Sequence, residues 1–157
     1  MHPRYLLLLL PMLLFAGCGK TGPAAAPAAA KAGHEHKAPH GGTAIELGDE
    51  AFHLELVRED AGKLSAYVLD GELENFIRIE SPSFQIVALA GGESRTLVFH
   101  AVASTATGET VGNTSHFEAE ADWIKTTAAF GGLLTRLEIR GTVFTAVAFD
   151  FPKGNEK

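Results

Sequence analysis

The sequence predicts an all-β fold, a single antiparallel β-sandwich or small barrel with one short helix. Apolar and polar side chains alternate along several short runs, which is the pattern of half-buried strands. Glycine-containing turns separate these runs at the short intervals typical of sandwiches and barrels. A chain of 157 residues has room for one such domain. We therefore expect the strands to share one core.

The alternation is clearest over residues 51–58, where Phe52, Leu54 and Leu56 share one face of a predicted strand. A turn at residues 59–62 leads to a second strand, so the two are expected to form a hairpin. That second strand is predicted at residues 63–70. Further strands are predicted at residues 76–79, 84–89, 95–102, 133–140 and 142–150, and the last two are expected to form a closing hairpin around Gly141.

One helix is predicted, over residues 119–130. Trp123, Thr127 and Phe130 recur there at helical spacing, and the glycine pair that follows would end the helix. The polar, glycine-containing stretch at residues 103–114 is expected to be a loop.

The N-terminus has the pattern of a targeting signal. An apolar run from Leu6 to Phe15 follows Arg4 and is shorter than the ~20 residues that a spanning helix needs, so it is typical of a signal peptide. The run ends Leu14-Phe15-Ala16-Gly17-Cys18, which resembles the lipobox of bacterial lipoproteins, with Phe15 where leucine is usual. The alternative is an ordinary secretory signal that happens to contain a cysteine.

The lipobox resemblance implies that Cys18 is acylated, with palmitate-type chains, and becomes the mature N-terminus. It also implies a membrane-anchored protein of the bacterial cell envelope, and Gly19 would favour the periplasmic side of the outer membrane. The chain then divides into a signal peptide (1–17), a lipidated cysteine with an Ala-, Pro- and His-rich flexible tether (18–42), the β-domain (43–153) and a tail (154–157).

The tether carries His34, His36 and His40, with Glu35 between the first two. Alternate residues of an extended segment point to the same side, and Gly41-Gly42 permits a bend. Imidazole suits Cu(II) and Zn(II), so we predict a divalent-metal site of these three histidines, with His53 as a further candidate ligand. The alternative for the tether is a solvated polar spacer.

Histidines of the domain are expected to play structural roles. His53 lies on the polar face of its strand, so the alternative to metal binding there is a solvent-facing side chain. His100 has apolar neighbours on both strand faces and is expected to be partly buried and hydrogen-bonded. His116 is expected at the surface.

The stretch His40-Gly41-Gly42-Thr43 and the strand pattern that follows it to Gly71 are similar to uncharacterised envelope lipoproteins and to the His-Gly-Gly segment of heavy-metal efflux adaptor proteins. The resemblance implies metal handling in the periplasm by His34, His36 and His40. No coiled-coil hairpin follows, so the chain is not expected to be a complete adaptor.

Composition excludes several function classes. The net charge of −6 argues against nucleic-acid binding, and a single cysteine excludes an intramolecular disulfide framework. No nucleophile elbow, zinc-protease motif or phosphate loop is present, so we do not expect an enzyme. The leading hypothesis is a lipid-anchored metal-binding protein. The alternative is a structural or protein-interaction lipoprotein with an envelope protein partner, contacted through sheet edges or residues 104–115.

Overall fold

The structure, a computed structural model, describes residues 37–156 of the chain. The described part is all-β, as predicted. Its strands are β1 (Thr43–Leu47), β2 (Phe52–Arg58), β3 (Lys63–Asp70), β4 (Ser83–Ala90), β5 (Glu93–Ala101), β6 (His116–Glu120), β7 (Phe130–Ile139) and β8 (Thr142–Phe151). Two short 3₁₀ helices, Asp60–Gly62 and Asp122–Lys125, complete the regular structure of these residues.

All eight strands belong to one antiparallel sheet, in the order β1-β2-β3-β6-β5-β4-β7-β8. The sheet curls so that its two end strands approach each other. Gly48, just after β1, lies against the ring of Phe144 in β8. Asn155, just after β8, bonds to the backbone of Glu46 in β1. Of the two predicted forms, the chain therefore adopts the barrel-like one.

The core fills the inside of this curled sheet. Alternate residues of each strand point inward, so Leu54 and Leu56 of β2 meet Phe99 of β5 and Phe117 of β6 in one buried cluster. Each such side chain contributes roughly 1.5–3 kcal/mol when it is fully buried. The residues between them point outward, and those of β2, β3 and β6 form the surface on which the candidate site is built.

The helix predicted over residues 119–130 is wrong. Strand β6 continues to Glu120, a single 3₁₀ turn follows, and β7 begins at Phe130. The Arg58 guanidinium donates to the carbonyl oxygens of Ile124 (2.5 Å) and Thr127 (2.7 Å). In the predicted helix, the Ile124 carbonyl would instead have accepted a hydrogen bond from the backbone four residues later. Trp123 and Phe130 recur at helical spacing because both pack towards the core, edge to face at 5.5 Å.

The predicted strand at residues 76–79 forms only two isolated bridges. Phe76 bridges to Leu69 of β3, and Ile79 bridges to Thr114. The segment between β3 and β4 thus lies against the barrel-like sheet without joining it as a strand. In the described residues, neither 3₁₀ helix has the length and apolarity needed to cross a membrane.

Candidate functional site

A row of three polar side chains crosses the outer face of the sheet. Glu55 on β2 pairs directly with Tyr67 on β3, and Tyr67 pairs directly with His116 on β6. Their neighbours along each strand point into the core, so these three side chains point outward together. His40, from the segment before β1, lies over the row. We call these four residues the histidine–tyrosine cluster.

One buried carboxylate holds His40 in place. Glu55 Oε2 lies 2.8 Å from His40 Nδ1, and Glu55 Oε1 accepts the backbone N–H groups of His40 and Gly42, each at 2.9 Å. The Glu55 side chain is fully buried, whereas 35% of the His40 side chain is exposed. Both carboxylate oxygens are therefore engaged with the segment that precedes β1.

The glycine pair predicted to permit a bend does so. Gly41 adopts φ 68°, a left-handed conformation that costs glycine little. Gly42 packs so closely on the carbonyl oxygen of Leu56 and the Glu55 side chain that a Cβ atom would clash there. The bend brings His40 back over β2 and β3.

The two imidazoles of the cluster lie on opposite faces of one phenol ring. His40 stacks on Tyr67 with ring centroids 4.0 Å apart, and His116 stacks on the same ring at 4.6 Å. Phe76 meets Tyr67 edge-on at 6.0 Å. Because the Tyr67 ring separates them, His40 and His116 are not placed to share one ion.

Burial favours the uncharged forms of Tyr67 and His116. Loss of solvent lowers the pKa of His116 below 6.5, against the opposing effect of the Glu118 and Glu109 carboxylates. Loss of solvent also raises the pKa of Tyr67 above 10.0, and nearby carboxylates act in the same direction. His116 Nε2 lies 3.6 Å from Glu118 Oε1, and Lys63 binds the same oxygen at 3.0 Å.

His53 is buried, so the solvent-facing interpretation of this residue is wrong. Its side chain is fully inaccessible, with Nδ1 3.2 Å from the carbonyl oxygen of Asp70 and Nε2 3.6 Å from Glu156 Oε1. The residue points to the outer face, as the alternation predicts, but the loop after β3 and the C-terminal residues cover it. In the register, His53 lies opposite Glu46 and Glu55 lies opposite Ala44.

His100 is exposed, and the expectation that it is partly buried is wrong. His100 is one of the outward-pointing residues of β5, as is Val98, which is 36% exposed. The apolar neighbours on both sides suggested two buried faces, whereas only the face of Leu97 and Phe99 is buried. His116, expected at the surface, is half-buried by its stacking on Tyr67.

The described residues include part of the predicted metal site. His34, His36 and the lipidation candidate Cys18 lie outside the described residues. Between residues 37 and 156, no group of three or more His, Cys, Asp or Glu side chains is arranged to hold a metal ion. The described candidate with an accessible ring is His40.

The contact between His40 and Glu55 resembles the way proteins orient histidines that bind metals. Histidines that bind metals through one ring nitrogen commonly donate the other N–H to a carboxylate, which fixes the tautomer and the ring orientation. Glu55 occupies that position at Nδ1, so Nε2 is the nitrogen left for a ligand.

Sequence reasoning missed Tyr67 and the role of Glu55. Period-two alternation places both on the outer face, but nothing near them in the sequence indicates that the segment before β1 covers that face. In comparisons with protein-family models, curated proteins and solved structures, no match to this chain was found.

Proposed function

We propose that the protein is a lipid-anchored protein of the bacterial cell envelope that binds a divalent transition metal, Cu(II) or Zn(II), through His34, His36 and His40. The observation that carries the proposal is the contact between His40 Nδ1 and Glu55 Oε2 at 2.8 Å. The proposed activity is binding, with no catalytic step.

Glu55 prepares His40 for a metal in two ways. A carboxylate at Nδ1 favours the tautomer with its proton on that nitrogen, which leaves a lone pair on Nε2. The two backbone hydrogen bonds to Glu55 Oε1 fix the chain on either side of the ring. Part of the ordering entropy of a metal site is therefore already offset before the ion binds.

The remaining ligands are assigned to the segment immediately before His40. His34 and His36 are separated by one residue, so in an extended chain their rings project to the same side. Three imidazoles suit Cu(II) and Zn(II), and the carboxylate of Glu35 is available as a fourth ligand. His53 is a weaker candidate, because its ring is fully buried.

The anchor is assigned to Cys18 on the strength of its lipobox-like context. Acyl chains contribute about 0.8 kcal/mol per buried CH₂, so a diacylated cysteine would hold the domain firmly at a membrane. The metal site would then lie close to the membrane surface, on the periplasmic side of the outer membrane. Mass spectrometry of the chain isolated from bacterial membranes should find an acylated Cys18 at its N-terminus, and an unacylated Cys18 would overturn this assignment.

The metal site is tested by calorimetric titration of the full chain with Zn(II) and Cu(II). We expect saturable binding with a Kd of about 1 μM or lower, equivalent to about −8 kcal/mol. The informative variant is Glu55→Gln. Its amide oxygen would stay at the two backbone N–H groups, so its NH₂ group would face His40 Nδ1 and force the ring proton onto Nε2.

Loss of the free Nε2 lone pair is expected to weaken metal binding by roughly 10–100-fold in Glu55→Gln. Glu74→Gln is the matched control, because Glu74 is exposed and lies in the loop after β3, so it should bind as the wild type does. Equal affinity in Glu55→Gln and wild type would overturn the role of His40. No saturable binding by the wild type would overturn the metal function itself.

A further inference from the structure

Strand β5 extends well beyond its pairing with the shorter strand β6. Strand β5 pairs with β4 from end to end. It pairs with β6 at only two positions, His100 with Glu118 and Ala101 with Phe117. From there towards Glu93, strand β5 has no partner on that side among the described residues. A groove of ≈ 720 Å³ lies at this junction, and its lining includes Thr96 and Val98 of β5 and Glu118 and Glu120 of β6.

The backbone of β5 faces this groove with unused hydrogen-bonding groups. The N–H of Ala101 donates towards β4, to Pro82 O, and the N–H of Val102 donates towards β6, to His116 O. Direction alternates along an antiparallel strand, so Ser94, Thr96 and Val98 turn their N–H and C=O groups to the same side of β5 as Val102, which is the side of the groove. Within residues 37–156, no strand pairs with that side of β5 between residues 93 and 99.

This edge lacks the features that usually prevent strand addition. Exposed edges are commonly protected by lysine, proline or a bulge. Here the three residues whose backbone groups point to the open side are serine, threonine and valine. The nearest cation, Arg95, is already engaged, since its guanidinium lies 5.4 Å from the centroid of the Trp123 ring and donates to the Glu93 carboxylate.

The opposite wall of the groove is acidic. Among the groove-lining residues, the formal charges are the carboxylates of Glu118 and Glu120, both on β6. Lys63 binds Glu118 at 3.0 Å from the far side of β6. A segment that enters the groove therefore meets a strand edge on one side and carboxylates on the other.

We propose that the open edge of β5 is a docking site for an extended segment of another protein that carries lysine or arginine at alternate positions. The segment adds to the sheet as a strand beside β5, through the backbone groups of Ser94, Thr96 and Val98. Its basic side chains lie near Glu118 and Glu120. Because β6 flanks the groove, a single strand fits there better than the edge of a second copy. This surface is separate from the proposed metal site and does not depend on it.

Amide hydrogen exchange of the full chain tests whether the edge is open. The amides of Arg95, Leu97 and Phe99 bond to β4 and should exchange slowly, whereas those of Ser94, Thr96 and Val98 should exchange fast. Slow exchange at all six positions in dilute protein would overturn the proposal. If exchange at Ser94, Thr96 and Val98 becomes slower as the protein concentration rises, the edge binds a second copy of this chain. That result would overturn the proposal that it binds a segment of another protein.

Binding is then tested with a capped eight-residue peptide that alternates valine and lysine. We expect it to slow exchange at Ser94, Thr96 and Val98, and we expect no slowing from the same peptide with glutamate in place of lysine. An N-methylated version of the valine–lysine peptide should bind much more weakly, because it has no N–H groups to donate to the carbonyl oxygens of the edge. Unchanged exchange with the valine–lysine peptide would overturn the proposal.

The acidic wall is tested by Glu120→Lys, which should weaken binding of the valine–lysine peptide about twofold to fivefold. Glu74→Lys makes the same charge change at an exposed position in the loop after β3 and should leave affinity unchanged. Equal weakening in both variants would show a general charge effect and would overturn the role of the groove.

Discussion

Tyr67 and His116 are directly opposed residues of β3 and β6 whose rings stack with centroids 4.6 Å apart and planes only 10° from parallel. Because the other face of Tyr67 is covered by His40, the phenol ring is enclosed between two imidazoles. The arrangement favours a neutral His116, because burial has removed part of the water that would stabilise a positive charge on its ring.

This stack predicts a pH dependence of stability. The pKa of His116 is lowered in the folded state, chiefly by burial, so the unfolded chain takes up a proton that the folded chain resists. The contribution of His116 to stability is complete above about pH 6.5, the ordinary histidine pKa, and falls as the pH drops below it. Urea denaturation at pH 7.5, 6.5 and 5.5 measures the slope.

His116→Phe should reduce that slope, because phenylalanine keeps a stacking ring and does not titrate. His100→Phe is the control, since His100 is exposed, and it should keep the wild-type slope. Carboxylates titrate mainly at lower pH and are the same in all three proteins. If His116→Phe loses stability with falling pH as steeply as the wild type, the burial explanation is wrong.

Two adjacent glycines in β7, Gly131 and Gly132, should respond differently in stability when each is replaced by alanine. A Cβ atom on Gly132 would collide with the ring of Phe149 on β8, whereas a Cβ atom on Gly131 would meet no atom within 4 Å. We expect Gly132→Ala to cost about 1–3 kcal/mol of unfolding free energy. Gly131→Ala should be neutral or stabilising by up to about 1 kcal/mol.

Chemical denaturation of the two glycine variants checks this prediction. Phe149→Leu removes the ring atoms that collide. Gly132→Ala should therefore lower the unfolding free energy less when it is combined with Phe149→Leu than when it is made alone. Equal stability of the two single variants would mean that Phe149 does not pack over Gly132 in solution.

We predict that Asn155, near the end of the described chain, stabilises strand β1. The side chain accepts the N–H of Glu46 at 2.8 Å and donates to the Glu46 carbonyl at 3.2 Å, as a neighbouring strand would. Asn155→Ala should therefore cost about 1–3 kcal/mol and speed amide exchange at Glu46. Lys153→Ala, at an exposed position nearby, should change neither quantity, and an unchanged exchange rate at Glu46 in Asn155→Ala would show that the contact is not formed.

Local pattern was sufficient to predict most of the strands. The alternation of Phe52, Leu54 and Leu56 reports which side of β2 faces the core, and that information is contained in neighbouring residues. The segment from Trp123 to Phe130 was mispredicted as a helix because spacing alone does not show what binds the backbone. The Arg58 side chain, which is distant in sequence, donates hydrogen bonds to the carbonyl oxygens of Ile124 and Thr127 in this segment.

The candidate site depended more strongly on long-range contacts. His40 was predicted from residue type and spacing, but its partner Glu55 follows it by 15 residues and belongs to another strand. The same limit applies to His53, because the residues that cover its outward face include Glu156 from the other end of the described chain. Alternation gives the direction of a side chain and not what lies over it.

The three hydrogen bonds that Glu55 accepts from His40 and Gly42 also determine how the fold bears mechanical load. Tension applied to the chain before His40 reaches these bonds before it reaches the pairing of β1 with β2. Release of His40 would therefore precede the peeling of β1, and the ring would lose the carboxylate that orients it while the barrel-like sheet remained intact. In a protein tethered through that end, a stretched tether would weaken the proposed metal ligand without unfolding the domain.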